Sequence, residues 1–161
     1  MYKIDAIDAQ IISLLNEDGR MPAAEIARQL GDITPRTVGY RIEGLIQRGI
    51  VTVRAVVNPK ALGYEVLADV LIETDPGRVK AVASILATFE AVTYVACATG
   101  DQDISIQVVT DSNEALFDFV TEQIGIIPGV RRTQTHILPF KMKDIDRWLP
   151  PEQSILKYER S

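Results

Sequence analysis

DITPRTVGYRIEGLIQR, running from Asp32 to Arg48, is the stretch whose reading decides the fold. Thr34 is placed to accept from the free N–H groups of a first helical turn, and Pro35 fits the first helical position, where no donor is needed. Val38, Ile42, Leu45 and Ile46 recur at helical spacing and form one apolar stripe. Arg36, Thr37, Tyr40, Arg41, Gln47 and Arg48 fall largely on the other side. Guanidinium, hydroxyl and amide groups on the exposed side of a short helix suit the phosphates and base edges of a DNA major groove. They would equally suit a solvated helix face, so the flanking sequence has to decide. Gly39 and Gly44 each weaken this helix by about 1 kcal/mol relative to alanine, so contact with DNA is expected to help order it.

Upstream, Ile4, Ile7, Ile11, Ile12, Leu14 and Leu15 predict a helix over Ile4–Asn16, with Asp5 and Asp8 where the helix dipole favours negative charge. Pro22–Leu30 predicts a second short helix, with Ile26, Ala27 and Leu30 inward and Gly31 as its stop. Three short helices with a tight turn at Gly31 make a helix-turn-helix pattern. Downstream, the β-branched run Ile50–Val57 predicts a strand, the wing of a winged helix, ending at Asn58-Pro59. Arg54 on it is placed either for a phosphate or for solvent.

From Gly63 the pattern changes. Tyr64–Thr74, Val92–Thr99, Ile104–Val109 and Val130–Pro139 read as strands, and Arg78–Phe89 reads as a helix. A second helix carries Leu116, Phe119, Val120 and Ile124 and is expected to open on a capping box of Asp111 and Glu114. The order βαββαβ is that of a ferredoxin-like domain. The first strand is apolar on both faces, with Val66, Ala68, Val70 and Ile72 on one and Leu67 and Leu71 on the other. Helices cover only one face of such a sheet, so a partner subunit is expected on the second. The fold class is therefore α+β. The expected divisions are a winged helix-turn-helix at 1–52, wing strand and linker at 53–63, the ferredoxin-like domain at 64–140 and an extension at 141–161.

Charge is distributed unevenly. The 161 residues carry a net charge of -5, which argues against a nucleic-acid partner if taken as a whole. Up to Lys60 there are 8 Lys+Arg against 7 Asp+Glu, whereas the remainder has 9 against 15. Between Ile33 and Lys60 stand Arg36, Arg41, Arg48, Arg54 and Lys60 against Glu43 alone. Phosphate binding follows the local patch rather than the total. No apolar run approaches the roughly 20 residues that cross a bilayer, no secretory signal is visible, and one cysteine, Cys97, fits a reducing cytoplasm and excludes an internal disulfide framework. Cys97 is expected to be buried. The single histidine, His136, cannot form a multi-histidine metal site within one chain, and no metal or cofactor is expected.

Taken in order, Ile4-Asp5, Asp8, Ile11-Ile12, Leu15, Asp18 and Arg20, then Glu25-Ile26-Ala27 with Gly31, then Thr37-Val38, Arg41-Ile42 and Leu45, resemble the leucine-responsive/asparagine regulator (Lrp/AsnC) family. Gly49-Ile50-Val51, Asn58-Pro59, Leu62-Gly63 and the Gly100-Asp101 turn extend the resemblance to about Ile4–Pro139. It implies a regulator that binds double-stranded DNA as a homodimer through a winged helix-turn-helix, with half-sites about one helical turn apart. It also implies an amino-acid-sensing C-terminal (RAM) domain that assembles dimers, often into octamers. Asp32 departs from the pattern as an extra acidic residue before the third helix. The tail from Lys141 to Ser161, with Trp148 and Pro150-Pro151, is longer than the family needs and is expected to pack on a neighbouring subunit or stay disordered.

The candidate DNA contacts are Thr34, Arg36, Thr37, Tyr40, Arg41, Arg48 and Arg54. For an effector, the turn Thr99-Gly100-Asp101-Gln102-Asp103 offers accessible backbone N–H groups for a carboxylate and side-chain carboxylates for an ammonium. Gly-Asp also makes a plain hairpin turn, but the resemblance implies that the equivalent turn lines the effector pocket. Thr133 and Thr135 are placed to add hydroxyls from an adjoining subunit. Two other readings use the same frame. One is an effector-independent architectural DNA-binding protein, and the other is an enzyme, because sirohaem decarboxylases share this two-domain build. The chain shows no catalytic set that favours the enzyme.

Overall fold

The computed structural model describes residues 4–145 together with 148 and 149. The chain divides into two compact units. One runs to Val56 and takes up the described residues from Met142 onward; the other spans Val57–Lys141. Pro150-Pro151, singled out above, lie outside the described residues.

In the first unit, α1 (Ala6–Glu17), α2 (Ala23–Leu30) and α3 (Pro35–Gln47) enclose a small core. Ile11, Ile26, Val38 and Leu45 are fully buried there, each contributing about 1.5–3 kcal/mol of transfer free energy. The helix starts follow the sequence chemistry. Thr34 caps α3, its hydroxyl accepting from the Thr37 N–H at 3.2 Å, and Asp5 and Asp8 form a reciprocal capping box on α1. Ile46, expected in the apolar stripe, is 43% exposed and is not among the hydrophobics packed against this core. The predicted wing strand is not formed. Residues 51–58 pair with no strand among the described residues, and Val53, Val56 and Val57 are exposed. β-branched side chains favour extended backbone, but a strand also needs a ladder partner. A cleft of about 890 Å³ in this unit is lined by Ile12, Leu15, Val51 and Val53 and by Ile145 and Trp148 of the C-terminal extension.

After a 3-10 turn at Pro59–Leu62, the second unit gives β1 (Val66–Thr74), α4 (Val79–Leu86), β2 (Val92–Cys97), β3 (Ile104–Thr110), α5 (Asn113–Asp118) and β4 (Val130–Ile137). The sheet is antiparallel with order β2-β3-β1-β4, the ferredoxin-like arrangement. Ala68, Val70 and Ile72 of β1 and Ile104, Ile106 and Val108 of β3 are fully buried under the helices, while Leu67 and Leu71 on the opposite face stay half-buried. Ser112, rather than the expected pair Asp111 and Glu114, caps α5: its hydroxyl accepts from the Ala115 N–H at 3.1 Å, and Asp111 accepts from the Ser112 hydroxyl. Beyond Asp118 the helix widens to π geometry over Phe119–Ile124, with the Gly125 N–H reaching the Val120 carbonyl. Phe119 packs edge-on against Phe89, ring centres 5.4 Å apart. Cys97 is exposed rather than buried, because β2 is an edge strand and Cys97 ends it. No helix among the described residues is long and apolar enough to cross a membrane.

Candidate nucleic-acid interface and effector pocket

At 3.6 residues per turn, Arg36, Tyr40, Glu43 and Gln47 line up along the exposed side of α3. Arg36 and Tyr40 form a unit. The Arg36 guanidinium lies 5.4 Å from the Tyr40 ring centre, and its Nη2 donates to the Tyr40 hydroxyl at 3.0 Å. The cation–π contact and the hydrogen bond limit the rotamers of both side chains before any partner arrives. Thr34 and Thr37, at the helix N-terminus, share a hydroxyl contact of 2.9 Å.

Arg41 does something else. It stands at the flank of α3 facing α1, and its Nη1 donates to Asp5 Oδ2 and Asp8 Oδ1, both at 2.7 Å. Asp8 is 1% exposed. Arg41, expected to reach DNA, is held here by an ion pair that ties α3 to the start of α1. Burial pushes the Asp5 carboxyl up, but the Asp8 N–H, the Arg41 hydrogen bond and charge and the Ile7 N–H outweigh it and hold its pKa below the ordinary 3.8. The same carboxylates raise the Arg41 pKa, with the Asp5 hydrogen bond as the largest cause. Arg48 curls back over its own helix, Nη1 donating to the Gly44 carbonyl at 2.7 Å, where it supports the helix C-terminus. Arg54 is exposed on the irregular segment after Gly49. The sequence-predicted residues therefore separate into an outward group (Thr34, Arg36, Thr37, Tyr40, Arg54) and two arginines engaged within the fold.

The second site sits at one end of the sheet. Because β1 runs antiparallel to both β3 and β4, the C-terminal end of β1 lies beside the N-terminal ends of the other two. Three connections meet there. A cavity of about 380 Å³ is lined by Gly100, Asp101 and Asp103 from the expected turn, and by Thr74, Asp75, Gly77 and Arg131, which the sequence reading missed. A signal for these was available: Asp75-Pro76-Gly77 is a turn motif, and Gly77 at φ +79 with the Arg78 N–H bonded to the Asp75 carbonyl fits a type II turn. Gly100, at φ +147, adopts backbone open essentially to glycine. The β1–β4 register shifts between Glu73 and Thr74, which pair with Arg132 and Val130, so Arg131 is the extra residue of a bulge on β4. Asp103 fastens the end of β1, its Oδ2 accepting from the Thr74 N–H at 2.7 Å and the Thr74 hydroxyl at 3.1 Å. Arg131 lies 3.6 Å from Glu73. Thr99 and Gln102 do not line the cavity. Thr133 and Thr135 lie on β4, opposite Ile72 and Val70, and are not brought to it within one chain. Among the described residues no cluster of three His, Cys, Asp or Glu side chains is arranged to hold a metal.

Residues 4–46 match the AsnC-type helix-turn-helix domain and residues 67–145 match the Lrp/AsnC ligand binding domain. The chain is 39% identical to the HTH-type transcriptional regulator FL11 of Pyrococcus abyssi over 136 residues, covering 84% of this chain and 89% of that protein. It is similar to the structure of AsnC from E. coli, with a TM-score of 0.82 at 32% identity, covering 90% of this chain and 99% of that one. A transcriptional regulator from Neisseria meningitidis, solved as a complex with L-Met, shares the fold with a TM-score of 0.82 at 21% identity, covering 88% of this chain and 94% of that one.

Proposed function

This chain belongs to the Lrp/AsnC family of DNA-binding transcriptional regulators, and from that premise we propose that the exposed side of α3 reads its operator while the cavity at the sheet end holds an amino acid or related metabolite. The observation that carries the DNA reading is the Arg36–Tyr40 pair, pre-ordered on the outward side of a helix whose opposite side is locked in the core by Val38 and Leu45. Thr34 and Thr37 stand at the helix N-terminus, the end that faces bases in helix-turn-helix complexes. Arg54 and Arg48 take the phosphate backbone, Arg48 after leaving its own helix end.

For the ligand, Asp75 and Asp101 supply negative charge to an ammonium, while Arg131 and the backbone N–H groups beside Gly77 and Gly100 suit a carboxylate. Asp103 serves the turn itself. The match of residues 67–145 to a ligand-binding domain supports this use of the cavity. A ligand here acts on DNA binding only through unequal affinity for two states of the assembly.

The half-buried outer face of β1 supports assembly with a second copy. Leu67 and Leu71 flank a polar chain in which Lys141 Nζ donates to Gln107 at 2.7 Å and Gln107 donates to Asp69 at 2.9 Å. Sedimentation equilibrium is expected to give at least a dimer, and a monomer mass at micromolar concentration would reject this face as an interface.

Fluorescence anisotropy with duplex from upstream of the chain's own gene tests the DNA reading. Binding is expected to exceed that to random duplex by about 10³ or more at matched salt. Equal affinity for both would favour the effector-independent architectural role instead. A thermal-shift screen against the twenty amino acids tests the cavity. A ligand at 100 times its dissociation constant adds about 2.7 kcal/mol, and a flat response to all twenty would remove free amino acids as the ligand class.

A further inference from the structure

Glu43 is the one acid between Ile33 and Lys60, and α3 holds it on the same outward stripe as Arg36, Tyr40 and Gln47. Its carboxylate is exposed and makes no hydrogen bond or ion pair with any described residue. The arginines nearby are engaged elsewhere: Arg36 on Tyr40, Arg41 on Asp5 and Asp8, Arg48 on the Gly44 carbonyl. One turn before Glu43 stands Gly39, where an added Cβ would meet nothing within 4 Å. The helix surface beside the carboxylate is therefore bare, and a base edge has room to approach it closely.

On a face presented to DNA, an unneutralised carboxylate is repelled by phosphates and accepts hydrogen bonds without donating any. The major groove offers it two donors, adenine N6 and cytosine N4. Adenine N6 is flanked by two acceptors, adenine N7 and thymine O4, which repel a carboxylate from both sides. Cytosine N4 has an acceptor, guanine O6, on one side only, leaving an open approach from the other. We infer that Glu43 is a specificity-determining residue of α3 that fixes a cytosine in each half-site by accepting from its N4 amino group. This rests on the reading of α3 as the operator-reading helix and adds to it the identity of one base.

Selection of bound duplexes from a random library, with wild type, Glu43→Gln and Glu43→Ala, tests it. Wild type is expected to return one invariant cytosine per half-site. Glu43→Gln is expected to shift that position to adenine, because an amide pairs with adenine N6 and N7, and Glu43→Ala to leave it degenerate. In anisotropy titrations, replacing that cytosine by thymine is expected to weaken wild type about tenfold and Glu43→Ala hardly at all. Because Glu43 is exposed, melting curves of all three proteins are expected to coincide, which separates a base preference from a folding defect. The same selected sequence from all three proteins would overturn the role of Glu43 and leave α3 as the reader. Failure of wild type to enrich any sequence would overturn both readings.

Discussion

Arg41→Ala is expected to destabilise the N-terminal unit by about 2–4 kcal/mol, a larger loss than from any exposed residue of α3. Truncation removes the cation that faces Asp8, which is 1% exposed, and Asp5, whose side chain is 46% exposed. An exposed pair is worth about 0.2–1 kcal/mol, while breaking a buried one costs about 3–5 kcal/mol, and this triad lies between them. In a unit of this size each kcal/mol moves the melting point by about 4–8 °C. The pH dependence identifies the cause. The Asp5 pKa is lowered in the folded state, so its contribution is fully present above the ordinary 3.8 and is lost as pH falls through the lower folded value. In the variant that acid-side loss is expected to shrink, since only the backbone N–H groups of Asp8 and Ile7 still lower the Asp5 pKa. Arg41→Lys, which keeps the charge but not the planar fork, is expected to recover part of the stability. A melting point equal to wild type across the acid range would show that the triad does not hold α1 to α3.

Arg36→Ala is expected to lower operator affinity about 10- to 100-fold with the fold unchanged. Arg36 is exposed and contributes nothing to the core, so its loss is read in binding rather than in melting. Tyr40→Phe, which keeps the ring but removes the acceptor 3.0 Å from Nη2, is expected to give a smaller loss, because the guanidinium is then less pre-ordered. The salt dependence distinguishes two modes of contact. If Arg36 meets a phosphate, the slope of log affinity against log salt falls by about 1 in the variant and sequence preference is kept; if it meets guanine O6 and N7, the slope holds and the preference relaxes. Unchanged affinity at low salt would reject this side of α3 as the DNA-reading surface.

The sequence made the elements legible wherever the chemistry was local. Thr34-Pro35 at the start of α3, the alternation Ala68, Val70, Ile72 in β1 and the turn at Gly100 are decided by residues within a few positions of each other. The carboxylate partners of Arg41 were not legible because its helical position is a flank, and whether a flank meets water or an acid depends on where α1 crosses, 33 and 36 residues away in sequence. Ser112 displaced Asp111 as cap through a one-residue shift, its hydroxyl accepting from the Ala115 N–H while Asp111 accepts from that hydroxyl. The 51–58 segment has strand composition without a ladder partner, and composition cannot supply the partner. In the candidate pocket, Gly100, Asp101 and Asp103 were reachable from their own turn. Asp75, Gly77 and Arg131 arrive through strand direction, and the βαββαβ order already places those three connections at one end of the sheet.

The chain has a single tryptophan, Trp148, and it lies in the cleft of the N-terminal unit beside Ile145, 54% exposed. All indole emission therefore originates in the half that carries α3, and none in the sheet. The protein comes with its own optical label: the emission maximum follows the environment of one unit, while circular dichroism follows both, so melting of the two halves can be resolved without attaching a dye.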